Sequence, residues 1–233
     1  MSAAEASGLE ARIGSVVLPN PVLTASGTSG HGAELGAYFD LSRLGAVVVK
    51  SLAAFSWPGN PAPRLRPVED GMLNSVGLQG PGVTVWLERD LPDLLRAKAR
   101  VVASIWGRTI GEFRDAAAML ADAPDDVVAV EVNVSCPNLD DGEAMFAESE
   151  RATAAAVEAA HAARRSCWAK LSPGVDDIVP IAKAAVAAGA DALVLVNTLP
   201  ARRWRPELEG ALGGGAGGLS GPALRPVALR AVE

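Results

Sequence analysis

The residues with the most chemistry per position lie in one short run, Glu131-Val-Asn-Val-Ser-Cys-Pro-Asn138. It follows an apolar run, Val127 to Val130, that reads as a buried parallel strand. Pro137 disfavours helix at Cys136 and holds that residue extended. The strand therefore ends in a rigid turn carrying two amides, a hydroxyl and a thiol. Paired asparagine donors and acceptors suit a flat polar ring. A thiol at a strand end can serve as base or nucleophile once ionised. The same residues equally suit a plain Pro-Asn turn around a buried structural cysteine, because free cysteine packs as a small hydrophobe.

Other reactive side chains fall at the ends of other apolar runs. Ser26-Gly27-Thr28-Ser29-Gly30 is a small-residue loop that lets a backbone approach a ligand closely. Lys50 closes the run from Gly45, Ser104 sits late in Val101 to Ile105, and Lys170 follows Trp168-Ala169. Asn197-Thr198 follow the strand predicted over Ala192 to Val196. A lysine at a strand end is ordinarily solvated, but two on separate strands can converge on one mouth.

Helices are expected between these strands: near Ala33 to Phe39, over Val83 to Ala99 with Pro92 as a candidate break, over Thr109 to Ala121, Ser149 to Arg164, and Asp177 to Ala188 with Gly189 closing the last. Pro222 opens a further helix. A hairpin is expected at the N-terminus, Ala11 to Val17 and Val22 to Ala25, turned at Pro19-Asn20-Pro21. Trp57 to Asn74 reads as an irregular excursion and Gly213 to Gly221 as a glycine loop. Asp140, Asp141 and Glu143 mark a solvated flap.

Strand and helix alternate about six times, which is the α/β class. Two architectures compete, a (β/α)8 TIM barrel and an open doubly wound sheet. Ser26, Lys50, Ser104, Asn133, Lys170 and Asn197 all lie at C-terminal strand ends. A barrel gathers such ends around one site, whereas an open sheet strings them along an edge. No G-x-G-x-x-G opens the first unit. The barrel is the expectation.

The chain has 233 residues, 49% of them hydrophobic, which suits a single domain over residues 1–233 with a sizeable core. A net charge of -6 offers no footprint for nucleic acid. No apolar run approaches the roughly 18 residues of a membrane helix, and Met1 to Leu9 lacks the pattern of a signal peptide. Two cysteines and two histidines make neither a disulfide framework nor a metal cluster, so no metal site and a cytoplasmic setting are expected.

Eight short motifs, in order, carry a resemblance: Thr24-Ala-Ser-Gly27, Val49-Lys-Ser51, Gly59-Asn-Pro-Ala-Pro-Arg64, Asn74-Ser-Val-Gly-Leu-Gln79, Asn133-Val-Ser-Cys-Pro-Asn138, Lys170-Leu-Ser-Pro173, Asn197-Thr-Leu199 and Gly217-Gly-Leu-Ser-Gly221. Together they resemble the dihydroorotate dehydrogenases, flavin enzymes of pyrimidine synthesis, and most of all the class 1 catalytic subunits of the NAD-linked, two-subunit type. The resemblance implies oxidation of dihydroorotate to orotate, with hydride passing from C6 to FMN. It makes Cys136 the base for the C5 proton. It assigns substrate contacts to Lys50, Asn74, Ser75, Val76, Gly77, Leu78, Asn133, Asn138, Asn197 and Thr198. It assigns FMN contacts to Ser26, Lys50, Ser51, Ser104, Asn133, Lys170, Val196 and Gly221. Two neighbouring readings stay open, a related flavin barrel acting on dihydropyrimidines and a degenerate barrel fragment without activity.

The resemblance also implies a homodimer and a separate subunit carrying FAD and an iron–sulfur cluster. With Cys136 committed, only Cys167 remains as a cluster ligand, so a cluster belongs to another polypeptide. Three departures stand out. Gly80 replaces an asparagine common in the family, Ser104 stands where asparagine is frequent, and the chain stops within its expected seventh strand–helix unit. A barrel incomplete at the C-terminus, without the phosphate-holding turns, is expected to bind FMN weakly. The Cys136 pKa is left undecided, since lysines lower it and a sealed pocket raises it.

Overall fold

The structure, a computed structural model, describes residues 8–69, 71–142, 144–200, 212–215 and 217–233. Its strands in chain order are β1 (Ala11–Ile13), β2 (Val16–Leu18), β3 (Val47–Val48), β4 (Leu65–Val68), β5 (Gly71–Asn74) and β6 (Val101–Ile105). They continue with β7 (Val127–Asn133), β8 (Ser166–Lys170), β9 (Ala192–Val194), β10 (Leu199–Pro200) and β11 (Gly218–Ser220).

Five strands pair in parallel in the order β3-β6-β7-β8-β9, and a parallel bridge from Leu23 to Ala46 extends the sheet beyond β3. The order never reverses, so there is no switch point of the kind an open doubly wound sheet uses. The sheet curls instead, as half of a barrel does. Alternation along each strand shows the curl. Val130 and Val132 of β7 pack in one core with Phe113, Ala116, Ala156 and Val157 of the helices outside. Ala129, two residues from Glu131 and four from Asn133, packs in a second core with Val48, Val102 and Trp168 on the concave side. Val16 and Leu18 of the β1–β2 hairpin complete that inner core, closing the floor beneath the strands. Each fully buried Val or Leu contributes about 1.5–3 kcal/mol.

The helices are α1 (Val83–Val85), a π segment (Trp86–Asp90), α2 (Leu91–Arg96), α3 (Ile110–Met119), α4 (Glu150–Ala160), α5 (Ile178–Ala187) and, after a 3-10 turn opened by Pro222, α6 (Arg225–Val232). Thr109, Ser149 and Asp177, read from sequence as first helical residues, are the N-caps. Their side chains accept from the backbone N–H of Glu112, Ala152 and Val179 at 3.1, 3.2 and 2.9 Å. Pro92 does not break its helix. The π segment before it absorbs the missing donor, and the axis continues. Gly189, with φ of +93°, ends α5 as expected.

Several expectations change. The helix foreseen near Ala33 to Phe39 is a single 3-10 turn, Glu34–Ala37. Gly32 precedes it and Gly36 lies within it, and the Glu34 carboxylate accepts from Gly32 N at 2.8 Å instead of leaving the turn free to extend. The excursion from Trp57 contains the β4–β5 hairpin, which joins β11 and β10 in a four-stranded antiparallel sheet. Pro67 hides β4 from the sequence reader, yet β4 is an edge strand, where proline is tolerated. Part of the glycine loop is β11 itself. The second arm of the N-terminal hairpin is Val16–Leu18, not Val22 to Ala25, because Gly14 makes the turn. Strand β9 stops at Val194, while β7 runs on to Asn133. Glu143 lies outside the described residues.

Candidate active site

The C-terminal ends of the parallel strands carry a buried hydrogen-bonded chain. Ser104 Oγ donates to Glu131 Oε1 at 2.9 Å. Ser104 has one hydroxyl proton, so at the 2.9 Å contact between Ser51 and Ser104 the donor is Ser51. Asn133 Nδ2 donates to Ser51 Oγ at 3.1 Å, and Asn197 Nδ2 donates to Asn133 Oδ1 at 3.2 Å. The sequence Asn197, Asn133, Ser51, Ser104, Glu131 is therefore a one-way relay of donors ending on a carboxylate. Ser26 Oγ lies 3.4 Å from Ser51 Oγ at the start of the relay's serine branch.

Glu131 is the residue that sequence reasoning passed over. It opens the reactive run but was given no role. The signal was present: a charged residue in an apolar strand, at the same parity as Asn133. Its side chain is 2% exposed, and Lys170 Nζ stands 3.8 Å from its Oε1. Burial pushes the Glu131 carboxyl upward, while Lys170 and the Ser104 hydrogen bond pull it down. The register explains the meeting: Ser104 is directly opposite Glu131 in β6–β7, and Lys170 is opposite Asn133 in β7–β8. Lys170 thus reaches Glu131 on the diagonal of one concave face.

Lys50, the other strand-end lysine, is half buried. Burial and then the nearby Arg64 guanidinium lower its pKa. His31 stands beside it, lowered by burial and then by the Lys50 charge, and its Nε2 is buried without a hydrogen-bond partner. That nitrogen lies 3.3 Å from where a side chain on Gly80 would begin, so the imidazole borders the space that Gly80 leaves empty. Ser135 Oγ, next to Asn133 in the turn, is likewise buried without a partner.

The antiparallel sheet brings the second group of predicted residues to this end. Asn74 Nδ2 donates to Gly218 O at 3.1 Å, and Ser75 Oγ accepts from Asn60 Nδ2 at 2.9 Å. Val76 O accepts from Asn60 N at 3.1 Å, and Gly77 O accepts from Trp57 Nε1 at 3.0 Å. Gly77 and Leu78 both take positive φ, +70° and +61°, which folds the segment back on itself. Thr198 closes the group, because a Cβ on Gly218 would collide with its Oγ1.

Four predicted residues stand apart. Cys136 is buried in the outer core, where its thiol donates to Gly107 O at 3.1 Å and Asn133 O at 3.4 Å. Burial pushes its pKa up to about 12, and Glu112, not a lysine, is the charge that acts on it. The sealed pocket decides the direction, and the lysines take no part in it. Asn138 caps the short turn Leu139–Asp141 and lines a cleft with Ile110, Arg151 and Ala155, on the helix side of the sheet. Val196 lies in the link between β9 and β10 and joins no part of the relay. Gly221 packs by Gly71, at the far end of β5 from Asn74. A further residue went unnoticed in the sequence: the Arg108 guanidinium lies over Phe55 and Trp57 at 4.8 and 4.9 Å and pairs with Glu112 at 2.7 Å.

Among the described residues no helix is long and apolar enough to cross a membrane, and no group of three or more His, Cys, Asp or Glu is placed to hold a metal ion. Residues 8–233 match the sequence model of the family described as dihydroorotate dehydrogenase. A dihydroorotate dehydrogenase B (NAD(+)), catalytic subunit, of Alkaliphilus metalliredigens is 46% identical over 233 residues, covering 96% of this chain and 74% of that protein. The protein of that description from Desulforudis audaxviator is 47% identical over 226 residues, 94% of this chain and 72% of its own length. The one from Trichlorobacter lovleyi is 43% identical over 230 residues, with 96% and 74% covered.

Proposed function

The chain belongs to the dihydroorotate dehydrogenase family and is an oxidoreductase; from that premise we propose that it oxidises (S)-dihydroorotate to orotate in pyrimidine biosynthesis with FMN. We read the chain as one flavin-binding domain of a (β/α)8 barrel. The observation that carries the reading is the buried relay from Asn197 to Glu131, with Lys170 beside it, at the C-terminal ends of the curled sheet.

The donor set fits a flavin. Two ammonium groups, an amide and the Ser26 and Ser51 hydroxyls lie at strand ends, and the Ser135 hydroxyl is buried without a partner. When bound, FMN supplies an acceptor for the hydride leaving C6. Lys170 and Lys50 would hold it with charge, and Ser26, Ser51, Ser104 and Asn133 would frame it.

The substrate's polar edges fall to asparagines. Asn133 and Asn197, fixed by their mutual hydrogen bond, and Asn74 present amides to the ring and its carboxylate, and Asn138 joins them when its turn swings with Cys136. Thr198 and the Ser75–Leu78 segment close over it. Lys50 supplies a cation whose charge is unpaired among the described residues. Cys136 takes the proton from C5. In the present arrangement its thiol is sealed beneath Gly107, so the turn must swing to bring sulfur to the substrate. Relatives named as catalytic subunits have a partner subunit by that name. We extend this to a homodimer of the present chain with a separate FAD and iron–sulfur subunit.

The experiment is anaerobic bleaching of flavin absorbance in the FMN-reconstituted protein. Dihydroorotate should bleach it and dihydrouracil should not, and Cys136→Ser should bind flavin without bleaching. Bleaching by dihydrouracil alone, or by neither, refutes the assignment.

A further inference from the structure

We propose that Glu131 is a positioning residue, which fixes the charge of Lys170 and, through Ser104 and Ser51, the orientation of the Asn133 amide. The two arms of this role come from separate observations.

The first is the ion pair. Lys170 and Glu131 are both buried on the concave face, 3.8 Å apart. Below them lie Ala129, Val102 and Trp168, all apolar. Nothing there can solvate an ammonium, so the carboxylate is its compensation. Removing one partner of such a pair leaves the other buried without its counter-charge, and the amine is no longer held against β7.

The second is the relay. A side-chain amide can present either its oxygen or its nitrogen to a neighbour. Asn133 has that choice settled by its partners. The Glu131 carboxylate only accepts, so Ser104 must donate to it and Ser51 must donate to Ser104. Ser51 then has only lone pairs to offer Asn133, which turns Nδ2 toward it. Asn133 Oδ1 is left to accept from Asn197 Nδ2 and from Ser135 N at 3.1 Å. An acid two residues inside the strand end thereby selects the face that Asn133 shows at the mouth. Such chains polarise along their length, which strengthens each bond.

The test uses the whole chain and two variants. In Glu131→Gln, acylation of Lys170 by acetic anhydride, read by mass spectrometry against exposed Lys183 as internal reference, should be about tenfold faster, since the amine loses the buried carboxylate that holds it in place. Ser104→Ala cuts the relay but keeps the charge. There the Lys170 rate should stay within about twofold of the parent, while the dihydroorotate KM rises about tenfold, a loss on the scale of one hydrogen bond. An unchanged Lys170 rate in Glu131→Gln overturns the first arm, and so does an equal rise in both variants. An unchanged KM in Ser104→Ala overturns the second, and this variant still decides if Glu131→Gln does not fold. The KM arm rests on the proposed activity. The labelling arm needs neither flavin nor turnover, so its failure is distinguishable from failure of that reading.

Discussion

Asn197 gives its side-chain amide proton to the side-chain oxygen of Asn133 at 3.2 Å, tying the end of β7 to the link that follows β9, across the intervening β8. The two asparagines sit 64 positions apart in sequence, and neither can turn without breaking the other's contact. A rigid pair of amides at a strand-end mouth is what discrimination among pyrimidines requires.

Asn133→Ala removes the side chain that bonds Ser51, Ser135 N and Asn197 together. Loss of these bonds leaves Ser51 buried with one fewer partner. Stability should fall by about 1–3 kcal/mol, and kcat/KM for dihydroorotate by about 100-fold. Urea denaturation and steady-state kinetics on one preparation read both, and a variant with parental kinetics would take Asn133 out of the site.

The thiols set a pH dependence. Burial raises Cys136 from 9.0 to about 12, and burial followed by the Asp191 charge does the same for Cys167. An acid whose pKa is higher in the folded chain than in the unfolded one stabilises the fold below the unfolded value. That stability is lost as pH rises from about 9 toward 12. The urea midpoint should hold to pH 9 and then decline, less steeply in a Cys136→Ser, Cys167→Ala double variant. At pH 7.5 both thiols should alkylate on the order of 1,000-fold more slowly than free cysteine. Orotate should speed Cys136 alone if the turn opens to it.

Arg108 joins segments that sequence order keeps apart. It stacks on Phe55 and Trp57, pairs with Glu112 on α3, and its carbonyl accepts from Leu139 N at 2.8 Å. Arg108→Ala should cost about 1–2 kcal/mol, from the cation–π contact more than the half-exposed ion pair. It should also shift the tryptophan emission, since Trp57 and Trp106 stack edge to face at 6.1 Å.

Gly218→Ala would drive a methyl group into Thr198 and disturb the pairing of Gly218 with Asn74. Its dihydroorotate KM should rise about tenfold, one lost hydrogen bond in scale. Gly111→Ala is the control. Its nearest neighbour would be Thr109 Oγ1 at 3.7 Å, so it should keep activity and gain roughly 0.5–1 kcal/mol of helix stability.

The parallel strands were legible because buried strands are written as continuous apolar runs, as Val101 to Ile105 shows. The helix starts were legible to within a residue because Thr109, Ser149 and Asp177 are capping types. The β4–β5–β11 sheet was not, since each of these strands contains proline or begins at glycine and the pairing spans 144 positions from Asn74 to Gly218. Distance in sequence leaves no local trace. The site was half legible. Strand-end position picked out Ser26, Lys50, Ser104, Asn133, Lys170 and Asn197, and Ser51 came only with the family resemblance; neither picked out Glu131, whose meaning depends on what stands opposite it in two other strands. Side-chain direction in the turn was not legible at all, and there Cys136 faces the outer core.

The concave side of β7 steps from Ala129 to Glu131 to Asn133, and hydrocarbon from Val102, Trp168, Val16 and Leu18 lies beneath the middle step. Grease does not reorient to quench a field as water does. The floor therefore works as electrical insulation, and whatever part of the ammonium's potential the acid leaves uncancelled is felt on the open side, by whichever molecule settles there.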